Sequence, residues 1–131
     1  MMRIVFLFGA FAILLAACQE SLEQRAAREA REMTETKCPM PIGDNMYLDS
    51  IVFDIPNLTQ SQYFRVCGDL DNDTVFMNTD SRSLLLSELK NSPSYRPLLD
   101  KGVLFHYVYR SGSDPEKVML ELTLAPADYA K

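Results

Sequence analysis

The stretch Val103-Leu104-Phe105-His106-Tyr107-Val108-Tyr109-Arg110 is rich in β-branched and aromatic residues. Ser111-Gly112-Ser113-Asp114-Pro115 follows it, and then Lys117 to Leu124, where Val118, Leu120, Leu122 and Leu124 fall on alternate positions. Two such runs around a Gly/Pro-containing turn predict a half-buried β-hairpin. Upstream, Leu48 to Ile55 has the same character, with Ile51, Phe53 and Ile55 alternating, Pro56-Asn57-Leu58-Thr59-Gln60 as a turn, and Tyr63 to Gly68 as the returning strand. Between the hairpins, Ser83 to Lys90 carries Leu84, Leu85, Leu86 and Leu89, the spacing of a short buried helix. Asp80, Ser81 or Ser83 can cap it, and Asn91-Ser92-Pro93 stops it. Tyr95 to Asp100 adds a further turn before Gly102.

Ahead of the first hairpin, Gln19 to Lys37 contains neither Gly nor Pro and is dominated by Ala, Glu, Arg, Gln and Leu, so its helix propensity is high. Leu22, Ala26, Ala30 and Met33 form a thin apolar stripe, with Arg25, Arg28 and Arg31 on one flank and Glu29, Glu32 and Glu35 on another. Pro39 and Pro41 mark its end. The order helix, hairpin, helix, hairpin predicts an α+β fold, a four-stranded antiparallel sheet with helices on one face. Period two sends Ile51, Phe53, Ile55, Phe64, Val66, Phe105, Tyr107, Tyr109, Leu120 and Leu122 to the covered face. The open face receives Ser50, Asp54, Tyr63, Arg65, His106, Arg110, Glu121 and Thr123, with apolar Val52 and Val108. Tyr63, Arg65, His106 and Arg110 are accordingly the candidate binding residues.

The first residues carry a different signal. Met1-Met2-Arg3 supplies one positive charge, and Ile4 to Ala17 is apolar apart from Gly9, a run too short to span a bilayer comfortably. These are the parts of an export signal. Leu15-Ala16-Ala17-Cys18 resembles the lipobox of bacterial lipoproteins, in which the chain is cut before the cysteine and its sulfur and amine receive acyl chains, palmitate among them. The resemblance implies residues 1–17 as signal peptide, 18–37 as lipidated Cys18 and charged tether helix, and 38–131 as one α+β domain. Several acyl chains hold a protein firmly, at about 0.8 kcal/mol per buried CH₂. Gln19, rather than the Asp that favours inner-membrane retention in enterobacterial lipoproteins, implies an outer-membrane anchor with the body facing the periplasm.

The formal net charge of −5 argues against nonspecific nucleic-acid binding, which needs a basic surface. A hydrophobic share of 47% and an aromatic share of 10% argue against disorder. Beyond Cys18, two cysteines remain in a compartment where disulfides persist, which favours a Cys38–Cys67 bridge. The alternative places Cys67 on the sheet and Cys38 in a loop out of reach.

Asp69, Asp71, Asp73 and Asp80 have the spacing of an EF-hand calcium loop. Thr74 stands where the sharp-turn glycine belongs, Asp80 is shorter than the usual Glu, and Val75-Phe76-Met77 reads as a short strand. No Gly-x-Ser-x-Gly elbow, His-Glu-x-x-His, Gly-rich phosphate loop or Rossmann fingerprint is present, and His106 is the single imidazole. No cofactor is expected.

Lys37-Cys38-Pro39, Leu48-Asp49-Ser50-Ile51 and Gly68-Asp69-Leu70-Asp71-Asn72, with Val103 to Tyr129, are similar to segments of small lipoproteins of Bacteroidota. That resemblance implies location and a single domain, and brings no activity or site. The expectation is a noncatalytic, lipid-anchored envelope module that binds a protein or polymer. The alternative is a small envelope hydrolase using acidic residues, with or without calcium.

Overall fold

A computed structural model describes residues 20–130. The signal peptide, the lipobox and Cys18 lie outside the described residues. Helix α1 (Leu22–Thr36) starts at a reciprocal cap: Gln24 N donates to Ser21 Oγ at 3.1 Å, and Ser21 N donates to Gln24 Oε1 at 2.9 Å. The helix lies against the sheet with Ala30 buried. At its N-terminal end Glu23 pairs with Lys101 at 3.2 Å. Near its C-terminal end the Thr34 hydroxyl accepts from Ile51 N and donates to Ile51 O, both at 2.9 Å.

The sheet has five strands in the order β1-β2-β3-β4-β5: β1 (Met40–Gly43), β2 (Met46–Asp54), β3 (Thr59–Val66), β4 (Leu104–Ser111) and β5 (Val118–Leu124). The expected hairpins are β2–β3 and β4–β5, both antiparallel. Two features correct the expected four-stranded antiparallel sheet. A short edge strand, β1, precedes the first hairpin; at four residues with a proline it carries no alternation to read. And β3 pairs with β4 in parallel, Thr59 opposite Leu104 through Val66 opposite Ser111. The helical connection between them carries the chain back across the sheet before β4 begins, the crossover that parallel neighbours require.

That connection contains a 3₁₀ turn (Gly68–Leu70), α2 (Asp73–Asn78), α3 (Ser81–Asn91), a second 3₁₀ turn (Pro93–Tyr95) and α4 (Arg96–Lys101). Val75-Phe76-Met77 is therefore helical rather than a strand: Asn72 accepts from Thr74 N at 2.8 Å, and this cap starts α2. Of the three candidates Asp80, Ser81 and Ser83, Asp80 is the cap of α3, accepting from Ser83 N at 3.2 Å. Gly102, at φ 84°, closes α4 in the left-handed conformation that favours glycine. After β5, α5 (Pro126–Tyr129) folds back so that Tyr129 OH donates to Val103 O at 2.8 Å.

The helices gather over one face. Phe53, Phe64, Val66, Phe105, Tyr107, Tyr109 and Leu124 form one core with Ala30 of α1, Leu85 and Leu89 of α3, and Tyr129 of α5. Phe64 stacks on Tyr109 at 4.5 Å between ring centroids. Two assignments change: Ile55 is exposed rather than covered, and Val108 is buried on the open face beneath its longer neighbours.

Cys38 and Cys67 are free thiols, so the expected bridge is not formed. Cys67 N donates to Asn45 O, whereas Cys38 sits two residues before Met40, which opposes Leu48. Extending that register sets Cys38 level with Ser50 and Cys67 level with Asn45, about five residues apart along the strands (~16 Å) and two strands apart across them (~10 Å). A disulfide needs Cα atoms within about 7 Å.

Candidate functional site

Between the covered sheet face and helices α2 and α3 runs a groove of about 1200 Å³. Phe64, Tyr107 and Tyr109 line the sheet side, Phe76 and Leu85 the helical side, and Ile42 and Leu84 stand exposed at its lips. α2 and α3 are held off the β1 end of the sheet, so the covered face is incompletely covered there. Gln62 lies on the groove floor, 8% exposed, next to Tyr107 in the β3–β4 register. Its amide makes no hydrogen bond with another described residue. Its polar atoms stay open to the solvent that fills the groove, where a docked group could bond them.

The single charge lining the groove is Glu88. Burial pushes the Tyr109 phenol up to about 12, and the Glu88 carboxylate adds to that shift. Tyr107 is raised as well, by burial first and then by charge repulsion from the Tyr95 and Tyr109 phenol oxygens and the Glu88 carboxylate. Both phenols are therefore neutral donors at physiological pH. The groove offers an apolar bed, hydrogen-bonding groups on its floor and one carboxylate.

The four residues expected to bind share the opposite face. Arg65 lies over the Tyr47 ring at 4.7 Å and pairs with Asp49 at 3.3 Å. Its register neighbour Arg110 reaches Pro115 O at 3.4 Å. His106 sits edge-on to Tyr63 at 6.3 Å. Its Nδ1 contacts Ser61 Oγ at 2.9 Å and its Nε2 contacts Glu121 Oε2 at 2.7 Å.

Hydroxyl, imidazole and carboxylate in a row suggest acyl transfer, but the surroundings do not support it. Ser61 and His106 lie on interior strands, whose N–H groups are committed to the ladder and cannot form an oxyanion hole. The chain of bonds instead fixes the ring and ties β3, β4 and β5 together on this face.

The acidic run does not converge on a cation. Asp71 accepts from Ser113 N at 3.1 Å and from Ser113 Oγ at 2.7 Å. Asp73 pairs with Lys117 at 2.8 Å, Asp80 caps α3, and Asp69 is exposed. Among the described residues no group of three or more His, Cys, Asp or Glu side chains could hold a metal ion. The expected calcium loop is not formed: α2 sets Asp80 apart from the other acids, and Asp71, Asp73 and Asp80 each have a local partner. Among those residues, too, no helix is long and apolar enough to cross a membrane.

Sequence reasoning missed the groove. The readable signal was Gln60 and Gln62, which share the parity of Phe64 and Val66 and so belong on the covered face. Assigning Gln60 to the turn and starting the strand at Tyr63 left both out.

The architecture defines a class: a small α+β domain whose mixed five-stranded sheet carries helices on one face, with a groove beneath them. The chain belongs to the family described as Domain of unknown function (DUF8479), which it matches over residues 21–120. Its fold is shared by a protein of Pseudomonas aeruginosa described as secreted, with a TM-score of 0.63 at 15% identity, covering 85% of this chain and 99% of that one. It is also similar to the type 2 secretion system pilotin EpsS of Vibrio vulnificus, with a TM-score of 0.57 at 14% identity, covering 82% of this chain and 91% of that one. The type II secretion system pilotin AspS of Vibrio cholerae gives a TM-score of 0.58 at 17% identity, covering 87% of this chain and 97% of that one. No curated protein matches the chain.

Proposed function

We propose that this protein is a noncatalytic interaction module of the cell envelope, lipid-anchored through Cys18 to the outer membrane and facing the periplasm, that holds an apolar segment of an envelope protein in the groove. The observation that carries the reading is the open groove itself: Phe64, Phe76, Leu85, Tyr107 and Tyr109 form an apolar bed, Ile42 and Leu84 stand exposed at its lips, and the Gln62 amide on its floor has no hydrogen-bond partner among the described residues. A docked segment would supply that partner and cover Ile42 and Leu84. The Leu15-Ala16-Ala17-Cys18 lipobox, with the likeness to Bacteroidota lipoproteins, supports the anchor. The fold shared with two secretion-system pilotins supports an envelope protein, rather than a polymer, as the partner.

A photo-crosslinking residue placed at Leu84, on the groove lip, is compared in intact cells with one at Val52, on the open face; the two positions are 63% and 50% exposed. The groove reading expects one envelope protein trapped from Leu84 and not from Val52, and expects trapping to be lost in Gln62→Leu. Trapping from Val52 alone would place the partner on the Tyr63, Arg65, His106 and Arg110 face instead. Labelling with a radioactive fatty acid, abolished by Cys18→Ser, tests the anchor separately.

A further inference from the structure

The two edges of the sheet are treated differently. On one side β1 is short and contains Pro41, and beyond it the Thr34 hydroxyl occupies both Ile51 N and Ile51 O. These are protective devices of the kind that keep an edge from pairing with another chain. On the other side β5 is seven residues long, pairs only with β4, and has no proline or lysine within it; its one irregularity, a bulge at Met119, lies toward its start and leaves Leu120 to Leu124 regular. Among the described residues, Arg82 alone is seen bonding this edge, through two contacts of 3.4 Å to Thr123 O. That contact places the Thr123 backbone carbonyl outward, so Glu121, of the same parity, presents its N–H and C=O outward as well; the alternation ends at the bulge at Met119.

We propose that β5 pairs antiparallel with the β5 of a second copy of this chain, joining two sheets across a two-fold axis. The strand is suited to meeting itself. Leu120, Leu122 and Leu124 share the covered face and Glu121 and Thr123 the open one, while Met119 is the extra residue of a bulge and packs toward the core. Centring the axis on Glu121 sets two carboxylates directly opposite each other, which disfavours that register. Centring it on Leu122 sets Leu122 opposite its own copy, Leu120 opposite Leu124 of the second copy, and each Glu121 opposite Thr123 of the second copy. The Glu121 side chain is 55% exposed and is held in place by His106 at 2.7 Å, so its carboxylate is positioned to accept from that threonine hydroxyl. Leu122 of the two copies then meets at the centre of the new pair, with Leu124 already covered within its own chain, and Arg82 gives up its weak contact.

The test is sedimentation of the full-length protein in mild detergent over a range of concentrations, with charge variants at Thr123, which is exposed and tolerates substitution. The wild type is expected to dimerise reversibly. Thr123→Glu, which sets two like-charge pairs across the axis, is expected to weaken the dimer about fivefold or more, and Thr123→Lys to tighten it. Independently, Leu122→Cys is expected to give a disulfide-linked dimer on mild oxidation of intact cells, whereas Val52→Cys does not. A chain that stays monomeric at every concentration overturns the proposal, and this includes the case in which a strand of another protein takes the edge. A dimer indifferent to both charges at Thr123, without the Leu122→Cys cross-link, overturns it equally.

Discussion

Thr34→Val tests how α1 is held to the sheet. Valine fills nearly the same volume but cannot bond Ile51 N or Ile51 O, each 2.9 Å from the Thr34 hydroxyl and only part-buried. Each lost bond costs about 0.5–1.5 kcal/mol net, and some water can reach the freed groups, so we expect a total of about 2 kcal/mol. A domain of this size shifts its midpoint by about 4 °C per kcal/mol, which predicts a fall of roughly 8 °C. Thr34→Ser keeps the hydroxyl and loses one methyl, so its cost is expected below about 1 kcal/mol. Thermal and urea unfolding followed by far-UV circular dichroism compare the three proteins, and an unchanged urea slope certifies the same transition. If the valine variant melted within about 2 °C of the wild type, or the serine variant fell as far as the valine one, the hydroxyl would not be what fastens α1.

Other substitutions probe the remaining arguments. A Cβ at Gly112 would meet Cys67 Sγ at 2.7 Å and Val66 O at 2.8 Å, so Gly112→Ala is expected to destabilise by about 1–3 kcal/mol in urea titration. Gln62→Leu replaces a solvent-reached amide with an apolar side chain of similar size and is expected to change stability by less than about 1 kcal/mol while losing partner capture. Gln60→Leu, on the same face but outside the groove lining, should leave capture intact. The Ser113 hydroxyl, then Ser111 and the Ser113 backbone N–H, hold the Asp71 carboxyl below its usual range. Because the folded value is the lower one, this stabilisation is complete above the unfolded value of 3.8 and disappears as pH falls through the folded one. Asp71→Asn should therefore lose less stability than wild type when urea titrations are taken from about pH 5 to about pH 3; parallel losses would refute the role of the Ser113 contacts.

The two hairpins and the parity of their faces were readable because period-two alternation is a local property: Phe53, Phe64, Phe105, Tyr107 and Tyr109 could be assigned to the core strand by strand. How the hairpins meet is not local. Whether β3 and β4 run parallel depends on where the crossover returns the chain, and no single residue near Thr59 or Leu104 encodes that. Helix α2 was misread because Val75-Phe76-Met77 has strand composition, whereas its conformation is set by the Asn72 cap and by Phe76 packing against Tyr109 at 5.9 Å. The groove was hidden for a related reason. An incompletely covered sheet leaves no mark on a hydrophobic pattern, and only the polar Gln62 among apolar neighbours betrays it.

The parallel β3–β4 joint sets an order of assembly. Each hairpin closes through a short turn and can form early, while the joint must wait until the whole helical crossover from Gly68 to Lys101 is drawn together. Contacts across it, such as Phe64 on Tyr109, should then be absent from the folding transition state. Weakening them would hasten unfolding and leave the folding rate nearly untouched. Until the joint closes, both inner strands present bare edges, and in a crowded compartment that interval is when the chain is most exposed to pairing with the wrong neighbour.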